Sequence, residues 1–205
     1  MLPHQTITEA DIQQLFNEAG EQVELQHYRA YVACRQRGLK NEAKDHLKLF
    51  ANVLSGSDKK ARRVFADVAH RLFFYTGDGS LYLPYNLWMD FVKPDIASWI
   101  EEEPTNPIPL RWSESLEHKK RAVMVNGSDQ LALLIFANTI IGKVSMNQHE
   151  LAAGFPYDGN ATEDLALLAF LEPFIEQVAD DTLRGEIVDT IIVLKNTARA
   201  HGSEK

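Results

Sequence analysis

Apolar residues recur every three or four positions along most of this chain, and short turn signals separate one such stretch from the next. This spacing places apolar side chains on one face of an α-helix. Helix-capping residues and glycines punctuate the pattern, with Thr8 before the first stretch and Gly38 and Gly56 after the second and third. Only Leu81-Tyr82-Leu83 has the pattern of a strand, and one such short strand cannot form a sheet. The sequence therefore predicts an all-α protein.

Short connections place consecutive helices next to one another. We expect about nine or ten helices in antiparallel hairpins, stacked as a helical-repeat-like array or packed as a compact bundle. The densest apolar stretch, from Leu131 to Ile141, predicts a helix at the centre of the C-terminal core. The segment Pro104-Thr-Asn-Pro-Ile-Pro109 cannot be helical, because each proline excludes the helical conformation from the residue before it. We therefore expect an N-terminal helical half, residues 1–103, and a C-terminal helical half, residues 104–205, within one continuous domain.

Composition excludes several classes of protein. Cys34 is the single cysteine among 205 residues, which excludes a disulfide framework and suits a reducing compartment. The first residues lack the positively charged and apolar regions of a signal peptide. The longest apolar run is too short to span a bilayer. These features predict a cytoplasmic protein that does not interact with a membrane.

No pattern of residues in the chain indicates catalysis. Glu24-Leu-Gln-His27 and Asp67-Val-Ala-His70 have the spacing of di-iron ligands, but Asp67 and His70 align with Arg63 on the polar face of a helix rather than towards a core. Cys34 reads as a small packed residue rather than a nucleophile. The chain contains no nucleophile elbow and no phosphate-binding glycine loop. The sequence thus predicts no catalytic residue, no metal and no cofactor.

Charge is distributed unevenly along the chain. The formal net charge is -8, yet residues 29–71 carry eleven Lys and Arg residues against four acids. Such a basic block can face nucleic acid, an acidic partner or the acidic C-terminal half of the same chain. A nucleic-acid-binding protein is therefore one alternative, although overall acidity disfavours it. Its contacts would be made by Lys59, Lys60, Arg62 and Arg63.

Aromatic residues concentrate in the middle of the chain, next to an acidic run. Aromatic side chains with a polar tip are favoured at binding surfaces, because the ring buries much area while the polar tip keeps a hydrogen bond. The same residues could instead pack the helices together. If they form a surface, the acids predict a basic protein or peptide as the partner. The predicted partner-binding residues are Tyr82, Tyr85, Trp88, Trp99, Glu101, Glu102 and Glu103.

Residues 106–142 resemble a piece of a tetratricopeptide-repeat array. The similar features are the turn at Asn106-Pro107, Trp112 in the first helix, Arg121-Ala122, the polar turn from Asn126 to Asp129, and Leu131-Ala132. The turns at Asn106 and Ser128 lie closer together than the repeat period of about 34 residues. The resemblance implies a helical-repeat-like fold that is used for protein binding. A compact bundle without repeats remains the alternative.

These observations together predict a non-enzymatic protein that binds another protein, as an adaptor or scaffold or as an inhibitor-type protein. The absence of a catalytic pattern and the aromatic-acidic segment are the basis of this prediction. An enzyme of unrecognised class is the remaining alternative, and it would need polar groups that converge in a pocket.

Overall fold

The computed structural model of the protein describes residues 8–149 and 151–202. The described residues form helices and no strand, which confirms the all-α prediction, and ten of the α-helices have six residues or more. The chain divides into two compact units. The N-terminal unit ends at Pro104, and the C-terminal unit begins at Thr105.

Seven α-helices and one π-helical segment form the N-terminal unit. They are α1 (Glu9–Gly20), α2 (Gln26–Gln36), α3 (Lys40–Gly56), α4 (Lys59–Thr76), α5 (Gly79–Tyr82), α6 (Tyr85–Leu87), the π segment Trp88–Val92 and α7 (Lys93–Glu102). Thr8 caps α1 as predicted: its hydroxyl accepts from the Asp11 N–H, and the Asp11 carboxylate accepts from the Thr8 N–H at 2.9 Å.

An aromatic cluster forms the core of the N-terminal unit. The rings of Tyr28, Phe50 and Phe65 come from α2, α3 and α4, and their centroids lie 4.9 to 5.1 Å apart. Tilted and edge-on rings at such distances gain about 0.5–1.5 kcal/mol per pair beyond area burial. The Tyr28 hydroxyl donates a hydrogen bond to the Tyr82 carbonyl, which ties α2 to the end of α5. This core joins α2, α3 and α4, and α4 is the helix that contacts α7 of the predicted partner-binding segment.

Five α-helices and one short 3-10 helix form the C-terminal unit. They are α8 (Pro107–Trp112), α9 (Leu116–Val125), α10 (Gln130–Gln148), the 3-10 helix Leu151–Ala153, α11 (Ala161–Ile175) and α12 (Asp181–Gly202). Helix α10 packs against α8, α9, α11 and α12. Leu133, Phe136, Ile140 and Ile141 of α10 are fully buried, which confirms a central helix in this core.

One local prediction is wrong. Helix α8 begins at Pro107, although the prolines were expected to exclude helix up to Pro109. Both prolines lie in the first turn, where backbone N–H groups have no intrahelical partner, so the missing donors cost little. Leu81-Tyr82-Leu83, the one stretch with the pattern of a strand, does not form one: Leu81 and Tyr82 lie in α5, which begins after Asp78. The Asp78 carboxylate accepts from the Leu81 N–H at 2.9 Å and thereby favours the helical turn.

No helix in the described ranges combines the length and the apolar character that crossing a membrane requires.

Candidate functional site

The predicted aromatic-acidic segment forms one helical run. Helix α6, the π segment and α7 follow each other in helical geometry, and we refer to residues 85–102 as the 85–102 helix. The Lys93 N–H donates to the Trp88 carbonyl, five residues back. The next residue, Pro94, has no N–H to donate, so a widened turn next to it disturbs few additional backbone hydrogen bonds. Such π turns are frequent at functional sites.

An ion pair joins the inner face of the 85–102 helix to α4. Asp95 is buried, and its carboxylate accepts from Arg62 Nε at 2.9 Å and from Arg62 Nη2 at 3.2 Å. This hydrogen bond to Asp95 is the main reason that the pKa of Arg62 is raised. Arg62 Nη1 also donates to the Ser57 carbonyl at 2.9 Å. The forked geometry fixes the position of α7 along α4.

The acidic end of the 85–102 helix also faces α4. Glu102 forms ion pairs with Lys59 and with Arg63, the latter at 2.6 Å, and Glu103 lies 3.2 Å from Arg63. The hydrogen bond from Lys59, followed by that from Arg63, lowers the pKa of Glu102. Both carboxylates are therefore partly neutralised within the N-terminal unit. Less negative charge is left for a basic partner than the sequence suggested.

Two of the predicted partner-binding aromatics are buried, which corrects their assignment to a surface. Tyr82 lies against the core, and Trp99 lies beneath the Arg63 guanidinium, whose carbon is 5.3 Å from the indole centroid. Cation–π contacts of this kind contribute about 0.5–2 kcal/mol. For these two residues the alternative holds: their aromatic side chains pack the helices together.

Trp88 occupies an intermediate position. It is half-buried, its ring meets the His70 ring edge-on at 5.2 Å, and Lys93 Nζ lies 6.0 Å from its centroid. His70 and Arg63 are both buried, so the prediction that they lie on a solvated face of α4 is wrong. The 85–102 helix covers that face and places the Glu102 carboxylate and two indoles against it.

A separate set of residues on the 85–102 helix points outward. Tyr85 is 73% exposed and Met89, one turn later, is 39% exposed. With the extra residue of the π turn, the helical repeat continues this face through exposed residues to Glu101, about 24 Å from Tyr85. We name this stripe the outer face, and it consists of Tyr85, Met89, Asp90, Pro94, Ala97 and Glu101.

The cations predicted to bind nucleic acid mostly face carboxylates. Lys59, Arg62 and Arg63 contact acids of α7, and Arg63 is buried. Lys60 is exposed. Three of the four candidate nucleic-acid-binding side chains are therefore compensated within their own unit, since they serve the α4–α7 contact. Phosphate contacts through these three side chains would compete with their ion pairs.

A buried carboxylate in the C-terminal unit was not identified from the sequence. Asp164 of α11 is 2% exposed, and its Oδ2 accepts from the Tyr157 hydroxyl at 2.7 Å and from Asn147 Nδ2 at 2.9 Å. Burial, followed by the hydrogen bond to Asp164, raises the pKa of Tyr157 to about 12. Gln148 Nε2 donates to the same hydroxyl at 3.2 Å. The sequence signal was weak: Asp164 lies on the core side of a largely apolar helix that also carries the acids Glu163 and Glu172.

The carboxylates and imidazoles of the described residues do not converge as metal ligands would. Within residues 8–149 and 151–202, no group of three or more His, Cys, Asp or Glu side chains could hold a metal ion. His27, from the first di-iron-like pair, instead lies beside His46, with the two Nδ1 atoms 3.5 Å apart. Cys34 is half-buried on α2.

We found no match to this chain among protein-family models, characterised proteins or solved structures.

Proposed function

We propose that this protein is a non-enzymatic, cytoplasmic protein that binds another protein, as an adaptor or an inhibitor, through the outer face of the 85–102 helix. The observation that carries the proposal is the exposure of Tyr85 and Met89 on one face of a helix whose other face is fixed by ion pairs to α4. A tyrosine buries a large area when a partner covers it, and it loses little side-chain entropy. Met89 adds an adaptable apolar contact one turn away.

The charge of the outer face supports a basic partner. Asp90 follows Met89, and Glu101 lies at the far end of the same stripe. The net charge of -8 adds a long-range attraction for cationic proteins. A partner helix or extended segment that places apolar side chains against Tyr85 and Met89, and Lys or Arg side chains against Asp90 and Glu101, matches this order.

The tetratricopeptide-like segment is a second, weaker support. Residues 106–142 span α8, α9 and the first part of α10, which pack against one another as neighbours. Arrays with such helices serve as protein-binding scaffolds. The proposal assigns no partner-binding residue to that segment.

Binding of a synthetic helical peptide tests the outer face. The probe is a fluorescent peptide of leucine and lysine with one apolar and one basic face, and the matched probe replaces lysine by glutamate. We expect fluorescence anisotropy to report binding of the lysine peptide alone. Tyr85→Ala should weaken that binding by about tenfold or more, since truncation of a central aromatic anchor costs about 2 kcal/mol.

Met124→Ala is the matched control, because Met124 is equally accessible but lies in the C-terminal unit. Equal affinities of the wild type, Tyr85→Ala and Met124→Ala for the lysine peptide would contradict the proposal, because binding would then follow net charge alone. Asp90→Lys together with Glu101→Lys should reduce the association rate and its dependence on salt.

A further inference from the structure

The last helix, α12, exposes aliphatic residues on the side that does not pack on the C-terminal core. Leu183, Ile187, Ile191, Leu194 and Ala198 are buried, and α12 packs against α10 and α11. Val188 is 37% exposed and Ile192 is 49% exposed, one helical turn apart on the same stripe. Exposure of aliphatic side chains to water is unfavourable, so this stripe is a candidate for contact with another molecule.

Charges of opposite sign lie at the two ends of this stripe. Asp181 precedes Val188 by two turns, and Arg199 follows Ile192 by two turns, so all four side chains project from one side of α12. Both charged residues are exposed; within one chain Asp181 pairs with Arg184, and Arg199 Nη1 donates to Asn196 Oδ1 at 3.4 Å, so a contact with a second helix exchanges these local partners. The order along the helix is acid, aliphatic, aliphatic, base, with equal spacing on either side of the centre near Thr190.

The stripe is complementary to a second copy of itself that runs in the opposite direction. A second helix of the same sequence, placed antiparallel about a two-fold axis near Thr190, brings Val188 opposite Ile192 and Asp181 opposite Arg199. Each contact then occurs twice, as in every isologous interface. The parallel arrangement would instead bring Asp181 against Asp181 and Arg199 against Arg199.

Gly185 is consistent with a close approach of a second helix on this side. It lies within α12 and next to the stripe, and nothing lies within 4 Å of a β-carbon built on it. Glycine inside a helix costs about 1 kcal/mol relative to alanine. The backbone at this position therefore stays open to a neighbouring helix at the expense of helix stability.

We propose that α12 pairs with α12 of a second copy of this chain, antiparallel and in the register that brings Val188 opposite Ile192 of the other copy. The pair forms a homodimer that is independent of the outer face of the 85–102 helix. One pair of helices buries less area than the about 1,200–2,000 Å² of a stable interface. The dimer should therefore dissociate at concentrations on the order of micromolar.

Sedimentation equilibrium of the full chain across the micromolar range tests this proposal. The wild type should change from monomer to dimer with concentration. Ile192→Glu should weaken the dimer by about tenfold or more, because it places two carboxylates in the apolar centre. Met146→Glu is the matched control, since Met146 is also exposed in the C-terminal unit. A wild type that is monomeric throughout, or a dimer unaffected by Ile192→Glu, overturns the proposal.

Charge reversal tests the register. Asp181→Arg brings two cations together in the dimer, and Arg199→Asp brings two anions together, so each variant alone should dimerise more weakly than the wild type. In an equimolar mixture each reversed residue meets its complement, and the mixed dimer should recover wild-type affinity. Circular dichroism confirms that each variant is folded. Folded variants that dimerise as the wild type does, or a mixture no stronger than its components, contradict the antiparallel register.

Discussion

The α4–α7 contact and the Asp164 cluster satisfy buried charge in different ways. In the first, Asp95 and Arg62 neutralise each other, and Arg63 meets carboxylates at its guanidinium tip. In the second, Asp164 accepts hydrogen bonds from neutral partners, the Tyr157 hydroxyl and the Asn147 amide. A paired charge depends on a complementary charge, whereas Asp164 depends on the geometry of its donors. The stability that the α4–α7 contact contributes should therefore depend on salt, and the stability that the Asp164 cluster contributes should depend on pH.

The largest expected effect is the removal of the Asp164 carboxylate. Asp164→Ala leaves the donors of Tyr157 and Asn147 without their acceptor, and each buried unsatisfied group costs about 1–3 kcal/mol. We expect the free energy of unfolding to fall by about 3 kcal/mol. Urea denaturation followed by circular dichroism measures this change. Asp158→Ala, at an exposed acid in the loop next to Tyr157, is the control, and equal losses in the two variants would contradict the assigned role of Asp164.

Removal of Asp95 should have the next largest effect. Asp95→Ala leaves Arg62 without its forked partner, and breaking a fully buried pair costs about 3–5 kcal/mol. A quarter of the Arg62 side chain is exposed, so water compensates in part and we expect a loss of about 2 kcal/mol. Lys60→Ala, an exposed neighbour on α4, should leave stability unchanged. Urea denaturation that ranks the two variants equally would count against the ion pair as a determinant of the α4–α7 contact.

The effect of Tyr157→Phe on the unfolding free energy should depend on pH, which distinguishes the Asp164 cluster from the α4–α7 contact. The variant loses two hydrogen bonds, the one donated to Asp164 and the one accepted from Gln148, so its unfolding free energy at neutral pH should be lower by about 1.5 kcal/mol. The pKa of Tyr157 in the folded protein, about 12, lies above the ordinary value of 10.0. Its stabilising contribution is therefore complete below pH 10 and is lost as pH rises towards 12. The difference between wild type and variant should shrink over that window, and a constant difference would contradict the raised pKa.

Glu102→Gln should have the smallest effect. Glu102 is almost half-exposed, and ion pairs at such positions contribute little to stability because water screens them. The difference from the wild type should decrease further at high salt, because screening weakens the contacts with Lys59 and Arg63. Thermal unfolding at low and high salt measures it. A loss larger than that of Asp95→Ala would mean that the exposed end of α7, rather than its buried middle, determines this contact.

Local signals in the sequence predicted much of the fold. The Thr8 cap, the apolar helix α10 and the absence of strands in the described residues follow from capping and periodicity, which involve neighbouring residues only. Helix boundaries were less accurate. Helix α10 continues to Gln148, beyond the end expected near Ile141, because the polar residues after Gly142 are good enough helix formers to extend it.

The candidate site was only partly predictable, because its burial depends on contacts between distant residues. Arg63 and His70 have the pattern of a solvated face, and only the packing of the 85–102 helix against α4 buries them. Trp99 was expected at a binding surface because of its aromatic ring and polar tip, and the same packing buries it. Tyr85 and Glu101 keep the exposed positions that the sequence analysis assigned to them. The Asp164 cluster joins residues from α10, a loop and α11, and no periodicity connects them.

Amide chemical-shift mapping tests the central claim most directly. Isotope-labelled protein is titrated with the leucine-lysine peptide, and the two-dimensional amide spectrum is followed. The outer face predicts that the largest shifts occur at Tyr85, Met89, Asp90 and Glu101, and that Tyr85→Ala reduces them. Largest shifts elsewhere in the molecule, or the same pattern in Tyr85→Ala as in the wild type, would contradict recognition through the 85–102 helix.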